Sequence, residues 1–428
     1  MTRSLKRIGE QSPNIMLRQA GSTENASRPT RVLVLGHDAA IGGAQLSLLA
    51  ILERLDPERF RPIVIVPTPG PFLDELRNRG IECHWGMAQR WIFFAKRGPA
   101  SSRKTRLVRL MLHPHLWAVL SLLTLPVRIG ILAIFAKMKR VDLVYTNTVT
   151  ILDGAFTARL VGASHVWHLR ELIRGNPDLS YPFSTGWVSE FVRGWSNRVI
   201  LNSQYLRRAY YGDLADDRIR VIVNGIAGSQ PSRTGFAVLP ASIPPSARLT
   251  ACCGRVSESK GIDIYLHAMA RLKDSHPNLH HLIIGDGQPD FIINLKELSG
   301  SLGLAGRVHF LGHRSDVPEL LACADILVSA SNQESFGRTL IEAMMAAVLV
   351  VATRSGGPEE IIVDGRSGFL VDVGDDRALA ARVGHLLDDA SVAAAIGSAG
   401  RTRVLKDFGL DRVVEEVCAT WEESLRGD

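Results

Sequence analysis

Twice along the chain, a short aliphatic and β-branched run is followed by a loop and a helical pattern, and the rhythm then repeats. The first series passes through RVLVLG (31–36), RPIVIV (61–66), VDLVYTN (141–147), ASHVWHL (163–169) and NRVILN (197–202). The second passes through RLTACCGR (248–255), HHLIIGDG (280–287), RVHFLG (307–312), ADILVSA (324–330) and VLVVAT (348–353). Near-continuous apolar runs alternating with helices are the pattern of parallel sheets covered on both faces. Two such series predict an α/β protein of two doubly wound, Rossmann-like domains facing each other across a cleft. The boundaries read as a flexible basic tail (1–30), a first domain (31–227), a Pro, Ser and Gly-rich linker (228–247), a second domain (248–405) and a final helix (406–428). That helix has an apolar face at Val413, Val414, Val417 and Trp421, which predicts packing back towards the first domain. The segment after Arg31, RVLVLGHDAAIGGAQLSLLAILERL, reads as a strand, a glycine loop and an amphipathic helix.

Charge divides the two halves. The net charge of +7 conceals 31 basic and 17 acidic residues before position 229, against 19 and 26 after it. Between Glu82 and Asp142 there are eleven basic residues, Arg103, Lys104, Arg106 and Arg109 among them, and no acidic one. An anionic partner is expected for the first half alone, and an anionic membrane surface fits. Residues 110–127 lack charge but contain His113-Pro114-His115 and Pro126. They predict a helix lying on a membrane or buried in the domain, in preference to one that crosses. The first thirty residues have no apolar core of a signal peptide, and the five cysteines show no metal-finger spacing, so reduced thiols in the cytoplasm are expected.

The chemistry concentrates in the second half. NQESFGRTLIEAM (332–344) follows one apolar strand and precedes another, which places Glu334 beyond a strand's carboxyl end and starts a helix near Arg338. Free amides at that helix mouth suit an anion, with Glu334 and Glu342 on either side; two solvated carboxylates are the plain alternative. GRVSESKG (254–261) sets Arg255 and Lys260 five positions apart beside a helix start. The pair suits a diphosphate, Arg as a fork and Lys as a point charge, or is simply two surface cations. GDGQP (285–289) lacks the third glycine of a dinucleotide fingerprint and reads as a tight strand-to-helix turn.

Together GRVSESKGIDIYLHAMA, LIIGDGQ, RVHFLGHRSDVPELLACADILVSASNQESFGRTLIEAMMA and RSGGPEEIIVDGRSGFLV resemble, in order and spacing, the retaining glycosyltransferases of family 4. The resemblance is strong over 250–372, looser before it, and implies the two-domain GT-B fold. It implies that Glu334 contacts a donor sugar and Glu342 the ribose. Arg255, Lys260 and the residues after Phe336 (Gly337, Arg338, Thr339) are then implied to hold the diphosphate. HVWHLREL (165–172) is similar to the family's strand ending in an active-site histidine, which implies a catalytic role for His168 beside Glu334; His165, out of phase, reads as a surface or core histidine. Gly42 and Gly43 match the glycine loop beside phosphates and acceptor.

The implied reaction moves a sugar from a UDP- or GDP-sugar to a hydroxyl of a glycan or lipid-linked oligosaccharide, with retention, at the inner face of the membrane. The chain has no D-x-D sequence, so no metal and no cofactor is expected, with cations and helix amides in the metal's place. No nucleic acid partner is expected. The alternatives are a soluble acceptor or a non-catalytic basic binding protein. An epimerase is argued against by the Glu and Arg/Lys pairs, and a phosphorylase by chain length.

Overall fold

A computed structural model describes residues 28–91, 93–94, 114–173, 179–180, 183–228 and 239–427. The first half contains β1 (Thr30–Leu35), α1 (Gly43–Leu52), β2 (Phe60–Val66), α2 (Pro71–Asn78), β3 (Glu82–Trp85), β4 (Phe93–Phe94) and α3 (Pro114–Met138). It continues through β5 (Leu143–Thr146), α4 (Asp153–Val161), β6 (Ser164–Leu169), β7 (Leu179–Ser180), α5 (Thr185–Gly194), β8 (Arg198–Leu201), α6 (Gln204–Tyr211) and β9 (Ile219–Val221). Seven of these strands form a parallel sheet in the order β3-β2-β1-β5-β6-β8-β9, while β4 and β7 make a separate antiparallel pair.

The second half contains β10 (Arg248–Cys253), α7 (Ile262–Ala270), β11 (Leu279–Ile284), α8 (Pro289–Ser301), β12 (Val308–Gly312), α9 (Val317–Cys323) and β13 (Ile326–Ser329). After it come α10 (Arg338–Met345), β14 (Leu349–Thr353), α11 (Gly357–Ile361), β15 (Phe369–Val371), α12 (Asp376–Asp388), α13 (Ala390–Asp407) and α14 (Leu410–Arg426). Its parallel sheet has the order β12-β11-β10-β13-β14-β15. In each sheet the strand order reverses once, between β1 and β5 and between β10 and β13. At such a reversal the flanking helices diverge to opposite faces and leave a crevice beyond the strands' carboxyl ends.

The strands that carry no apolar run are edge strands. β3 reads Glu-Cys-His-Trp and is half exposed at the end of its sheet, so it needs no continuous hydrophobic sequence. Two other elements differ from expectation. Helix α1 is not amphipathic: Gln45, Ser47, Leu48, Leu49, Ile51 and Leu52 are all buried, because α14 covers the side that would face water. Helix α3 extends well past the uncharged stretch, to Met138, and takes in Arg128; residues 107–113 lie outside the described residues.

Helix α14 belongs to the first half's core. Leu410, Val413, Val417 and Trp421 pack with β1, β2 and α1, and the indole of Trp421 meets Phe60 and Tyr145 edge-on at 5.3 and 5.1 Å. Burying an indole of this kind is worth about 3–5 kcal/mol by the cost of truncating one. Leu239, Ile243 and Ala247, at the far end of the linker segment, pack on the second half.

Candidate active site

The second half gathers its charged groups where β10 and β13 end. The Lys260 ammonium is ion-paired with the Glu334 carboxylate, and both line a pocket with Arg255, Ser331 and Thr339, floored by Cys252. Close backbone approach brings them together. Gly261 has φ of 59°, and a Cβ there would lie 2.0 Å from the Ala330 carbonyl oxygen, so only glycine lets this turn reach β13. Asn332 then holds the turn, its N–H donating to the Ser259 carbonyl at 2.9 Å and its Nδ2 to the Glu258 carbonyl at 3.0 Å. Gly287 lies as close to the Val256 carbonyl, where a Cβ would stand at 2.0 Å. The G-x-G of GDGQP thus seats the Arg255 loop against β11.

Burial pulls the Lys260 pKa down, but the facing Glu334 carboxylate outweighs it and leaves the ammonium above its ordinary value. Burial raises the thiols beneath, Cys252 to about 12 and Cys253 likewise upward, so neither is a thiolate nucleophile at neutral pH. Helix α10 opens at Gly337, whose φ of 106° turns the chain into the helix mouth. Arg338 Nε donates to Glu342 Oε1 at 2.7 Å, and Arg338 Nη1 to Ser47 Oγ of α1 at 2.9 Å. Gly43 lies against the same arginine, a Cβ there standing 3.9 Å from Arg338 Cδ. The glycine loop of the first half and the anion-facing helix of the second therefore touch.

Opposite stands a polar cluster from the ends of β1, β5 and β6. Glu171 accepts from Thr148 Oγ1 at 2.9 Å and from the Val149 N–H at 3.2 Å, and its Oε1 lies 3.7 Å from His37 Nδ1. Burial lowers the His37 pKa in spite of that carboxylate. Arg170 is buried and donates to Asn147 Oδ1 at 2.7 Å and Asn224 Oδ1 at 2.5 Å. Its carbonyl accepts from Ser335 Oγ at 2.9 Å, which joins the segment before Glu171 to the residue after Glu334. Ser203 Oγ donates to the Ser335 carbonyl at 2.6 Å, and the Glu360 carboxylate caps the free amides of Gln204 and Tyr205 at 2.9 and 2.5 Å. The halves are closed on each other by hydrogen bonds at the site itself.

Residues 241–403 match the family described as Glycosyl transferases group 1. The segment forms a group 1 glycosyltransferase domain. Among curated relatives, the lipopolysaccharide core biosynthesis glycosyltransferase LpsE of Rhizobium meliloti is 31% identical over 172 residues, 40% of this chain and 49% of that protein. The lipopolysaccharide core biosynthesis mannosyltransferase LpsB of the same organism is 29% identical over 250 residues, 56% of this chain and 70% of that protein. The match to LpsE thus spans about half of that relative's length. Among solved structures, HepE of Anabaena, crystallised with UDP and glucose, superposes with a TM-score of 0.71 at 23% identity, over 92% of this chain and 99% of its own. The described residues have the GT-B fold of this neighbour.

Around the group 1 domain, the residues singled out in sequence fall into three places. Arg255, Lys260, Glu334 and Thr339 share one pocket; Gly337, Arg338 and Glu342 lie along the start of α10 beside it; Gly43 faces Arg338 from the first domain, while Gly42 lies against Gln45. His168, near the end of β6, is 1% exposed and lies on the α14 side of the sheet beside Arg170, with its Nε2 buried and unpaired among the described residues. Its Nδ1 faces the Tyr145 hydroxyl and, at 3.4 Å, Arg170 Nη2. Burial holds Tyr145 protonated, its pKa pushed up to about 12, so both neighbours donate, Nδ1 accepts, and the proton resides on Nε2. Burial, then Arg170, lowers the imidazole pKa well below its usual value. His165 is a core residue, bonded to Thr146 Oγ1 at 2.9 Å.

Sequence reasoning missed His37, Tyr145 and Glu360. His37 follows the glycine that ends β1, and the rule that ligands sit beyond strand ends at a reversal in order would have found it. Tyr145 and Glu360 carry no local signal; their partners are 23 and more than 150 positions away.

Proposed function

We propose that the protein transfers a sugar from a nucleotide diphosphate sugar to a hydroxyl of a glycan acceptor, with the anomeric configuration retained. One observation carries the reading: Arg255, Lys260, Glu334 and Thr339 at the mouth of α10 converge on a single pocket, and the residue after Glu334 is bonded to the Arg170 carbonyl of the first domain. In the reaction the bond from the anomeric carbon to the β-phosphate oxygen breaks, and negative charge grows on the diphosphate. Arg255, Lys260 and the amides at Gly337, Arg338 and Thr339 stabilise that charge, which is the main catalytic contribution. The acceptor oxygen bonds to the anomeric carbon from the face the diphosphate leaves, and its proton passes to a phosphate oxygen. Glu334 holds the sugar's hydroxyls, and Glu342 holds the ribose, sharing its carboxylate with Arg338. Glu171 and His37 face the acceptor side, and His168 acts through Arg170 rather than on the sugar.

Arg255 and Lys260, cations set where the diphosphate would lie, support transfer in which no metal is needed. Lipopolysaccharide core enzymes among the relatives support a lipid-linked glycan acceptor, and UDP in HepE supports a uridine donor, with GDP-sugars the competing class. The test is incubation with UDP- and GDP-hexoses, with and without EDTA, following nucleoside diphosphate release and the product's anomeric proton by NMR. Release from one nucleotide series, unaffected by EDTA and with retained configuration, is expected. Absence of release from every donor overturns the reading.

A further inference from the structure

Helix α3 carries an apolar stripe along one side. Leu120, Leu123, Val127, Ile131, Ile134 and Met138 recur every three or four residues, so they share one face, and each is between 41% and 70% exposed. The stripe is about 27 Å long at 1.5 Å per residue. Its back is fixed to the domain. Leu132 and Ala136 pack beneath β1, β2 and β5, and the buried Arg128 clasps Asp153 of α4, Nε to Oδ1 at 2.7 Å. Pro126 interrupts the helix's own hydrogen bonds, and Arg128 Nη1 donates to the Ser121 carbonyl there at 2.7 Å. A helix held this way cannot turn to cross a bilayer; it can only lie on one.

The charge left over around the stripe is positive. Between 114 and 161 there are five cations and two carboxylates, and Glu82 of β3 adds a third carboxylate. Each is ion-paired, Asp142 with Arg28 at 2.7 Å, Asp153 with Arg128 and Glu82 with Lys139 at 2.6 Å. Lys137 and Arg140 at the end of α3, and Arg159 at the end of the neighbouring α4, are exposed. At the other end Leu122 packs in the cluster that contains Trp91 and Phe183, and the stacked Trp187, 4.2 Å from Phe183, is 43% exposed. Indoles with one wet edge are the side chains that settle at a membrane interface.

We propose that this face docks on an anionic lipid bilayer, with α3 parallel to the surface. A second copy of the chain fits less well, since like cations would meet. Helices in these units run antiparallel to their strands, so the start of α3 and Trp187 lie at the carboxyl ends of the strands, where the cleft opens. Only this consequence, that a membrane-held acceptor meets the cleft, rests on the transferase reading.

The experiment is sedimentation of the full chain with sucrose-loaded vesicles of phosphatidylcholine, alone or mixed with phosphatidylglycerol. Binding to the mixed vesicles is expected, weakening as salt shortens the Debye length from about 10 Å at 0.1 M to about 3 Å at 1 M. The triple variant Leu123→Ser/Val127→Ser/Ile134→Ser is expected to lose at least about a hundredfold in partitioning, from roughly tenfold per large apolar side chain. Lys137→Gln/Arg140→Gln/Arg159→Gln leaves the stripe intact and is expected to erase the preference for anionic vesicles, about fivefold per cation. Leu214→Ser, an exposed apolar position away from α3, is the unchanged control. No binding by the wild type, equal binding by the stripe variant, or a wild-type dimer that the stripe variant converts to monomer overturns the proposal. Nucleoside diphosphate release is measured separately, so a wild type that binds vesicles but releases none defeats the transferase reading and leaves the docking standing.

Discussion

The ammonium of Lys260 and the carboxylate of Glu334, 74 positions apart, are ion-paired at the ends of β10 and β13. The pair is assembled by a glycine turn that no other residue could make at that distance. It sets a positive charge and a hydrogen-bonding carboxylate side by side in one pocket. Each member therefore affects the other when removed.

Lys260→Ala is expected to lower kcat/KM for the donor by about tenfold to a hundredfold, the worth of a charge-assisted contact of roughly 1.5–3 kcal/mol. Arg255→Ala falls in the same range. Lys260→Ala/Glu334→Ala should cost less than the sum of the single changes, because Lys260→Ala alone leaves a partly buried carboxylate without its partner. A strictly additive double-mutant cycle would mean that the ion pair has no part in donor use.

Glu334→Gln and Glu342→Ala are expected to separate kinetically. In the proposed reaction Glu334 touches the sugar in the transition state, so its change is expected to lower kcat while UDP or GDP still binds. Glu342 there holds the ribose throughout, so its loss is expected to raise donor KM with kcat little changed. Steady-state kinetics over a range of donor concentrations checks both, and a reversed pattern would exchange the two roles.

Tyr145→Phe removes the donor that faces His168 Nδ1. Arg170 then loses a fixed neighbour, and a buried acceptor is left short of a hydrogen bond, at a cost of about 1–3 kcal/mol in stability. The expected signature is lower kcat with unchanged donor KM and no histidine step in the pH–rate profile, since burial and Arg170 still hold the imidazole neutral. Urea unfolding and steady-state kinetics read the two effects; a variant with lower stability and unchanged kcat would make the tyrosine purely structural.

Stability should fall on mild acidification. Burial lowers His165 and His281 to about 3, below an unfolded value of about 6.5. Above pH 6.5 neither state binds the proton and no stability is at stake. Between about 6.5 and 3 only the unfolded chain takes it up, so each histidine costs about 1.4 kcal/mol per pH unit over that window. Urea midpoints between pH 7 and 5 measure the slope, and His165→Gln should reduce it; a slope unchanged by the substitution would count against this assignment.

Glu360→Ala uncaps the two amides at the start of α6 that it holds across the domain boundary. Losing a cap costs about 1 kcal/mol, and here the loss also loosens closure of the cleft. A lower unfolding temperature and a larger radius of gyration by small-angle scattering are expected, with nucleoside diphosphate restoring part of the compaction.

The two parallel sheets were legible in the sequence, because strands buried on both faces must be written as continuous apolar runs, and so was the grouping of Arg255, Lys260 and Glu334, because they lie beyond strand ends with glycines beside them. Those signals are local. The edge strand β3 escaped because a half-exposed strand needs no apolar run, and α1 passed for amphipathic because α14, more than 350 positions away, covers its outer side. Tertiary structure decided the surroundings of His168, whose Nδ1 faces Tyr145 on the neighbouring strand and the Arg170 guanidinium. It also decided the exposed stripe of α3, since which face of an almost wholly apolar helix meets water depends on what the rest of the chain leaves uncovered.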